Sequence, residues 1–446
     1  MTIQLPSPAP PRVAPVKAAL VVTGIGLGVS TGLAITPETA GQFTAAGGVA
    51  TFAGSLTGLV GTYLALVMVL LVSRIPFVER VLGHDGLLRW HRRLAPWPIW
   101  LLVAHAVAIT IGYAQAARSG LWHQIGVLLS QYPDMLTATI GLGLICLAAV
   151  ISVRAVRRRV STEIWWSVHL LLYLALALSL AHVIALGPAF AGHPLTQAVW
   201  WAVWAATAGL VLAYRIGLPL VRSLRYRLRV AEVRQEGPGV VSVIVSGRHL
   251  DRLAVSGGQF FYWRFLVRGM WWLAHPYSLS ALPHPPYLRL TIKDLGDHSA
   301  SVARLRPGTK ILIEGPYGTF TRYSQQHRSV ALVAAGIGVT ALRALLEDLP
   351  EGSQPTVILR ASSSQDLVFG PEIRGLTEHK NGTYHEIFGS RAQAPLDAGA
   401  LHRLVPDLDR RDVFIVGPDA FVAATTAVAR GLGVPAEAIH HEAFVL

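Results

Sequence analysis

At 446 residues the chain is long enough for two or three domains, and 52% hydrophobic residues with a mean hydropathy of +0.47 are too apolar for an ordinary soluble protein, so a membrane is implied. The excess of 38 Lys+Arg over 25 Asp+Glu does not call for a nucleic-acid partner, because many of the arginines sit beside apolar runs, where membrane topology explains them. Cys146 is the one cysteine and lies in an apolar run, which excludes an internal disulfide, a cysteine-ligated iron–sulfur cluster and a cysteine zinc site; any redox metal must use other ligands.

The Pro-rich segment 1–17 has no cleavage site before the first apolar stretch and reads as a retained, disordered tail. Six stretches then approach the ~20 apolar residues that span a bilayer: 18–35, 52–72, 96–113, 136–153, 164–186 and 195–214. Arginines alternate between the connections: Arg74, Arg80, Arg89, Arg92 and Arg93 follow the second stretch, Arg154, Arg157, Arg158 and Arg159 the fourth, and Arg222, Arg225, Arg227 and Arg229 the sixth. The other loops carry almost only Arg118. By the positive-inside rule the N-terminus and everything after the sixth helix are cytosolic. Near residue 224 the pattern changes to short alternating strands such as 227–233 and 240–245, punctuated by Gly and Pro, as in a small β-barrel. From about residue 328 apolar strands alternate with helices (strand 329–333, helix 339–349, strand 356–359), the pattern of an α/β nucleotide-binding domain. The expected domains are thus the tail 1–17, a six-helix transmembrane domain 18–222, a barrel 223–325 and an α/β domain 326–446.

The third helix, extended back to its cytosolic start, contains His91 and His105, and the fifth contains His169 and His182. A histidine in an apolar helix needs a partner, and for one alone a structural hydrogen bond is explanation enough. Here two helices running in the same direction each carry a pair. Their spacings, 14 and 13 residues, rise roughly 21 and 20 Å, so both define the same two depths. Two octahedral irons, held by His91 with His169 and by His105 with His182, would use all four rings. At about 100° per residue the 14-residue spacing nearly returns to one face and the 13-residue spacing does not, which demands either a distorted fifth helix or two irons at different azimuths. His84, His123 and His193 fall in loops, where solvation is the default.

In the barrel half, His275-Pro276-Tyr277-Ser278 follows the strand opened by Gly258-Gln259-Phe260; Gly296-Asp297-His298-Ser299 precedes a short helix, and Glu314-Gly315-Pro316-Tyr317-Gly318 comes next. These supply what FAD needs: an aromatic ring to cover the flavin, a hydroxyl for its reactive edge and a helix N-terminus for the pyrophosphate. Each alone is also a turn sequence, and their order is the signal. Gly336-Ile337-Gly338-Val339-Thr340 lies between an apolar strand and a helix, where glycines let a nucleotide approach the backbone, and Gly417-Pro418 follows the later strand 412–415. Arg360 and Ser362 end the intervening strand, placed either to hold the 2′-phosphate of NADPH or as a solvated strand end.

With these residues in hand, the chain resembles the ferric reductase and NADPH oxidase superfamily, most closely its bacterial transmembrane members, from about Leu56 to the C-terminus. The resemblance implies two b-type haems on His91, His105, His169 and His182, an FAD box at His275–Ser278, and a nicotinamide-nucleotide loop at Gly336–Thr340. It also implies that Phe444, in Glu442-Ala443-Phe444, covers the flavin face. Ala341 stands where the family loop has Pro, Val416 where it has Cys, and Val445-Leu446 extend past the aromatic. The implied activity carries electrons from cytosolic NADPH, or NADH, through FAD and the haems to an acceptor outside: a ferric chelate, dioxygen, or a periplasmic redox partner. The expected location is the bacterial cytoplasmic membrane; oligomeric state is open, and no side chain is assigned as an acid–base catalyst. Trp97 and Trp100 lie between the haem levels, as relays or as packing and lipid-facing residues. A transporter or scaffold with a degenerate reductase half is the rival from another class; the lack of Asp or Glu near the span centres, with Glu163 at an edge, argues against it.

Overall fold

A computed structural model describes residues 13–35, 39–187, 189–390 and 392–444. Most of the expected tail lies outside these, as do Val445 and Leu446; the part of it that is described is already helical from Val13. The chain divides into two compact units that change over at Arg215/Ile216, whereas the sequence pattern suggested residue 222.

The first unit is helical throughout: α1 (Val13–Leu33), α2 (Thr39–Thr44), α3 (Gly48–Leu71), α4 (Pro76–Leu82), α5 (His84–Leu94), α6 (Pro96–Ala117), α7 (Leu121–Gln131), α8 (Met135–Ser152), α9 (Arg154–Arg157), α10 (Thr162–Leu186) and α11 (Pro194–Val211). A wide turn over Leu212–Gly217 continues α11 into α12 (Leu218–Tyr226). Helices that satisfy their own backbone and are apolar on all sides are what a lipid solvent selects. Among the described residues five stretches are long and apolar enough to cross a bilayer: Gly48–Leu71, Gly86–Ala117, Met135–Ser152, Thr162–Leu186 and Pro194–Tyr226. The expected first span corresponds to α1, in which Lys17–Leu33 is the described apolar stretch. Trp97 and Trp100 are 61% and 70% exposed on this unit, which fits lipid-facing residues better than a relay buried between helices.

Close helix contact comes from small residues, as expected where lipid supplies no hydrophobic drive between helices. α3 packs along α6, and a Cβ added at Gly54 would lie 2.6 Å from the Ile109 side chain. α8 packs along α10, where a Cβ at Gly141 would lie 2.8 Å from the Ala175 carbonyl.

The second unit begins with two three-stranded antiparallel sheets sharing one core. Strands β1 (Arg229–Gly237), β2 (Val240–Ser246) and β5 (Tyr287–Lys293) form one sheet in that order, and β4 (His275–Ser278), β3 (Phe260–Phe265) and β6 (Ile311–Tyr317) the other. Alternation in β3 turns Phe261, Trp263 and Phe265 inward against Val243, Leu290 and Ile313. The short helix α13 (Asp297–Val302) follows β5.

A parallel sheet follows, built from β7 (Val330–Ala335), α14 (Val339–Asp348), β8 (Thr356–Ala361), α15 (Gly370–His379), β9 (Thr383–Phe388), α16 (Ala398–Leu404), β10 (Asp412–Pro418), α17 (Asp419–Gly431) and β11 (Ile439–Phe444). Its strand order is β11-β10-β7-β8-β9, so the chain starts in the middle, winds outward through β9, and returns on the other side of β7. Every residue of β7 is buried, which is why that strand reads as a continuous apolar run. The order reverses between β7 and β10, and the crevice above such a reversal is where open α/β sheets bind ligands.

Candidate functional site

Ala95, between α5 and α6, keeps helical torsions, so Gly86–Ala117 forms one rod that carries both His91 and His105. α10 is unbroken and carries His169 and His182. The rings meet as two pairs: His91 with His169 at 6.3 Å between ring centres and His105 with His182 at 6.1 Å, each pair inclined by 63°. Two imidazole nitrogens at about 2.0 Å from one metal, each roughly 1.2 Å from its ring centre, put the centres about 6.4 Å apart. Both pairs fit that spacing. Because α10 is not distorted, its two histidines leave the helix at azimuths about 140° apart; two irons held there would therefore have to sit at different azimuths.

The rings on the α5–α6 rod are aimed by α3. His91 Nδ1–H donates to the Met68 carbonyl at 3.2 Å and His105 Nδ1–H to the Gly54 carbonyl at 2.8 Å, which leaves Nε2 of each as the electron-pair donor. Glycine is required at this contact, since a Cβ on Gly58 would lie 2.6 Å from His105 Nδ1. On α10 the pattern differs. Nδ1 of His169 and of His182 is buried with no hydrogen-bond partner, at a cost of about 1–3 kcal/mol for such a group. A structural hydrogen bond, the alternative role for these histidines, would have removed that cost. His169 is braced instead by a stacked Trp165, 4.8 Å away and inclined by 24°. Trp165 Nε1–H donates to Ser152 Oγ at 3.1 Å, and the Arg157 guanidinium lies 4.9 Å from the indole centre. Among the described residues no cluster of three or more His, Cys, Asp or Glu is arranged for a metal ion. Two protein ligands per level therefore suit a metal that arrives with its own equatorial donors, as haem iron does.

In the second unit His275–Ser278 forms β4 and pairs with β3, Tyr277 opposite Phe261 and Ser278 opposite Phe260. Burial pushes the Tyr277 phenol above its usual range, so it stays protonated, and its oxygen lies 3.4 Å from His298 Nδ1. The His298 ring stacks on His275 at 3.5 Å, which brings the Gly296–Ser299 turn onto the His275–Ser278 strand. Ser299 Oγ accepts from the Leu295 N–H at 2.8 Å, so this hydroxyl closes the turn itself. Gly315 and Gly318 have φ of 136° and 99°, a backbone path open to glycine, and they bracket Tyr317, whose ring packs 5.9 Å from Phe260. Pro276 is exposed and Ser278 buried, with Ser278 Oγ 3.5 Å from Glu442 Oε1 on β11. His298 and Glu442 are thus site residues that sequence reading passed over; both stood inside quoted motifs, and what singles them out is contact across the fold.

At the β7/β10 reversal the two glycine turns touch. A Cβ on Gly338 would lie 2.7 Å from the Val416 carbonyl, and Gly336 has φ of +56°. Gly417 and Pro418 end β10, with Pro418 beside Phe444 on β11. Thr340 is buried and donates its hydroxyl to the Ile337 carbonyl at 2.9 Å, so it braces the loop from within. Arg360 pairs across from Ala335, next to the glycine loop, and Ser362 is exposed just past β8. Val416 and Ala341 are fully buried, so both departures from the family pattern serve as core.

With this geometry in place, comparison with known proteins finds two family models. The ferric reductase like transmembrane component matches residues 57–180, a stretch holding His91, His105 and His169, with His182 just past its end. The FAD-binding domain matches residues 225–321, which include His275–Ser278, Gly296, Ser299, Gly315 and Gly318. An NADPH oxidoreductase of Mycobacterium tuberculosis is 25% identical over 239 residues, 51% of this chain and 62% of that protein. Ferredoxin–NADP reductase B of Sorangium cellulosum is 30% identical over 187 residues, 38% of this chain and 77% of that protein. Among solved structures, the FAD/NAD-binding domain of a nitric oxide dioxygenase from Vibrio cholerae overlays 49% of this chain and 99% of its own length, with a TM-score of 0.42 and 20% identity. The molecule is therefore a membrane protein with an appended flavin-binding reductase half. It carries the two-part architecture of the ferric reductase and NADPH oxidase superfamily.

Proposed function

We propose that this chain is an NAD(P)H-dependent transmembrane oxidoreductase that delivers electrons to an acceptor on the outer face of a bacterial cytoplasmic membrane, a ferric chelate or dioxygen. The observation that carries the reading is the meeting of four histidines as two ring pairs at 6.3 and 6.1 Å, at two depths of one helical unit. When bound, FAD takes a hydride from the nicotinamide and releases electrons singly, and two b-type haems pass them across the bilayer.

Placement supports the following residue roles in this reading. Gly336, Gly338, Gly417 and Pro418 receive the dinucleotide at the sheet reversal, with Thr340 bracing the loop and Arg360 and Ser362 beside it for a 2′-phosphate. His275, Pro276, Tyr277 and Ser278 present the flavin strand, the turns at Gly296–Ser299 and Gly315–Gly318 bound it, and Phe444 closes it from the C-terminal strand. His91 and His169 hold the inner iron, His105 and His182 the outer. Lys17–Leu33 is the sixth span in this reading, keeping both termini on the arginine-rich cytosolic side. Electron movement outward from a negative interior is then favourable by about 2.3 kcal/mol per charge per 100 mV.

The test is the absorption spectrum of detergent-purified protein titrated with NADPH and with NADH. A Soret band that reduces on adding nucleotide is expected. Absence of that band, or an intact outer haem in His105→Ala, sinks the proposal.

A further inference from the structure

One cleft in the helical unit has no part in holding the haems, the flavin or the nucleotide. It measures about 420 Å³ and lies where α6 ends, α7 begins and the chain enters α8; Tyr113, Ser119, His123, Gln124, Val127 and Tyr132 line it. Tyr113 follows His105 by eight residues, about 12 Å of helix rise, so the cleft opens beyond the His105/His182 level. The Tyr113 and Tyr132 rings stand 5.6 Å apart, inclined by 44°, and form one aromatic wall. Ser119 donates to Gln124 Oε1 at 3.1 Å, which leaves the Gln124 amide NH₂ as its group for a ligand. α7 carries Trp122, 87% exposed, and exposed Leu121 at its start, the signature of a helix at the membrane–water interface.

The lining selects a ligand class. It contains no carboxylate and no Lys or Arg, and the adjoining exposed Arg118 and Asp134 have opposite charges. An anionic ferric chelate calls for cations in its site, and a bare cation for carboxylates. The volume falls within the roughly 300–1,000 Å³ of organic-ligand sites and far exceeds what dioxygen fills. What remains complementary is a neutral ring whose oxygens accept hydrogen bonds from phenol, amide and imidazole, and which partitions at the membrane surface.

Resting on the electron path proposed above, we infer that this cleft binds a quinone and that quinone reduction is a further activity of the chain. The step balances: NAD(P)H gives NAD(P)⁺, one proton and two electrons inside, and the quinone takes two electrons and two protons outside to become the quinol. His123, exposed at the mouth, exchanges those protons with water.

The experiment uses full-length, haem-loaded protein in detergent, reduced with NADPH without oxygen and then mixed with duroquinone, ferric citrate or dioxygen while Soret reoxidation is followed. Duroquinone reoxidation should saturate. Ala117→Phe, at a further lining position on the exposed end of α6, should raise the half-saturating duroquinone concentration by about tenfold, and Tyr132→Phe by about threefold. Haem content and the dioxygen and ferric citrate rates should stay within about twofold of the parent. Non-saturating duroquinone kinetics, an unchanged Ala117→Phe, or an equal fall for all three acceptors overturns the inference while leaving the haem path standing. A parent protein with no Soret band overturns the path itself.

Discussion

The α5–α6 rod and α10 both present two histidines, yet they hold them by different means. On the rod each ring is tied by Nδ1 to a carbonyl of α3. On α10 neither Nδ1 has a partner, and only His169 is braced, by the face of Trp165. The contrast separates a rigid jaw from an adjustable one: in the proposed reading α3 and α6 would set where the irons lie, and α10 would close on them. Such an arrangement accommodates the mismatched 13-residue spacing, because rings without hydrogen-bonded tethers can turn to their ligand.

The sharpest test of this contrast is removal of one ligand at the outer level. His105→Ala or His182→Ala should cost one haem of two, seen as about half the Soret absorbance per protein. Next, Gly58→Val should press directly on the His105 ring, where the added Cβ meets Nδ1, destabilising the outer site by about 1–3 kcal/mol and broadening its low-spin EPR signal while the inner signal persists. Equal damage at both levels would refute the rigid-jaw account. Trp165→Leu should act on the inner level alone. A ring stack of about 0.5–1.5 kcal/mol, felt unequally by the two oxidation states, shifts the inner midpoint potential by at most ~20–60 mV in a redox titration. The smallest effect should come from the reductase half, where Glu372 takes two bonds from Arg289 of β5 and a third from Arg343 of α14. These partners hold its carboxyl below the usual range, hydrogen bonding from Arg289 foremost. A depressed pKa contributes stability above the unfolded value of about 4.3 and loses it as pH falls through the folded value. Glu372→Gln should therefore lower the reductase melting temperature by about 2 °C at pH 7, with the difference vanishing in acid and both haem potentials unchanged.

How far the sequence reached depends on the range of the forces involved. The pairing of His91 with His169 and His105 with His182 was readable because helix rise is a local constant, and four costly residues at two matching depths leave few arrangements. Strand and helix positions in the nucleotide half, such as β10 over the expected 412–415, follow from local apolar runs. Hydropathy marks six apolar stretches because each is a local run of composition, and five of them stand among the described residues as helices long and apolar enough to cross a bilayer. Trp165 on His169, Gly58 under His105, His298 on His275 and Glu442 beside Ser278 escaped it. Ser278 and Glu442 stand 164 residues apart, and no periodicity links them. Trp165 was closer to hand, four residues from His169 on one helix face, but a tryptophan there reads equally as lipid-facing.

The acceptors on α3 are Gly54 and Met68, 14 residues apart, and the histidines they hold on the antiparallel rod are 14 residues apart as well. The distance between the two histidine levels is thus written twice in the chain, once in residues that would touch iron in the proposed reading and once in main chain that would not. A single residue inserted in α3 between Gly54 and Met68 would put the two records out of step, and one level would lose its alignment with every histidine still in place.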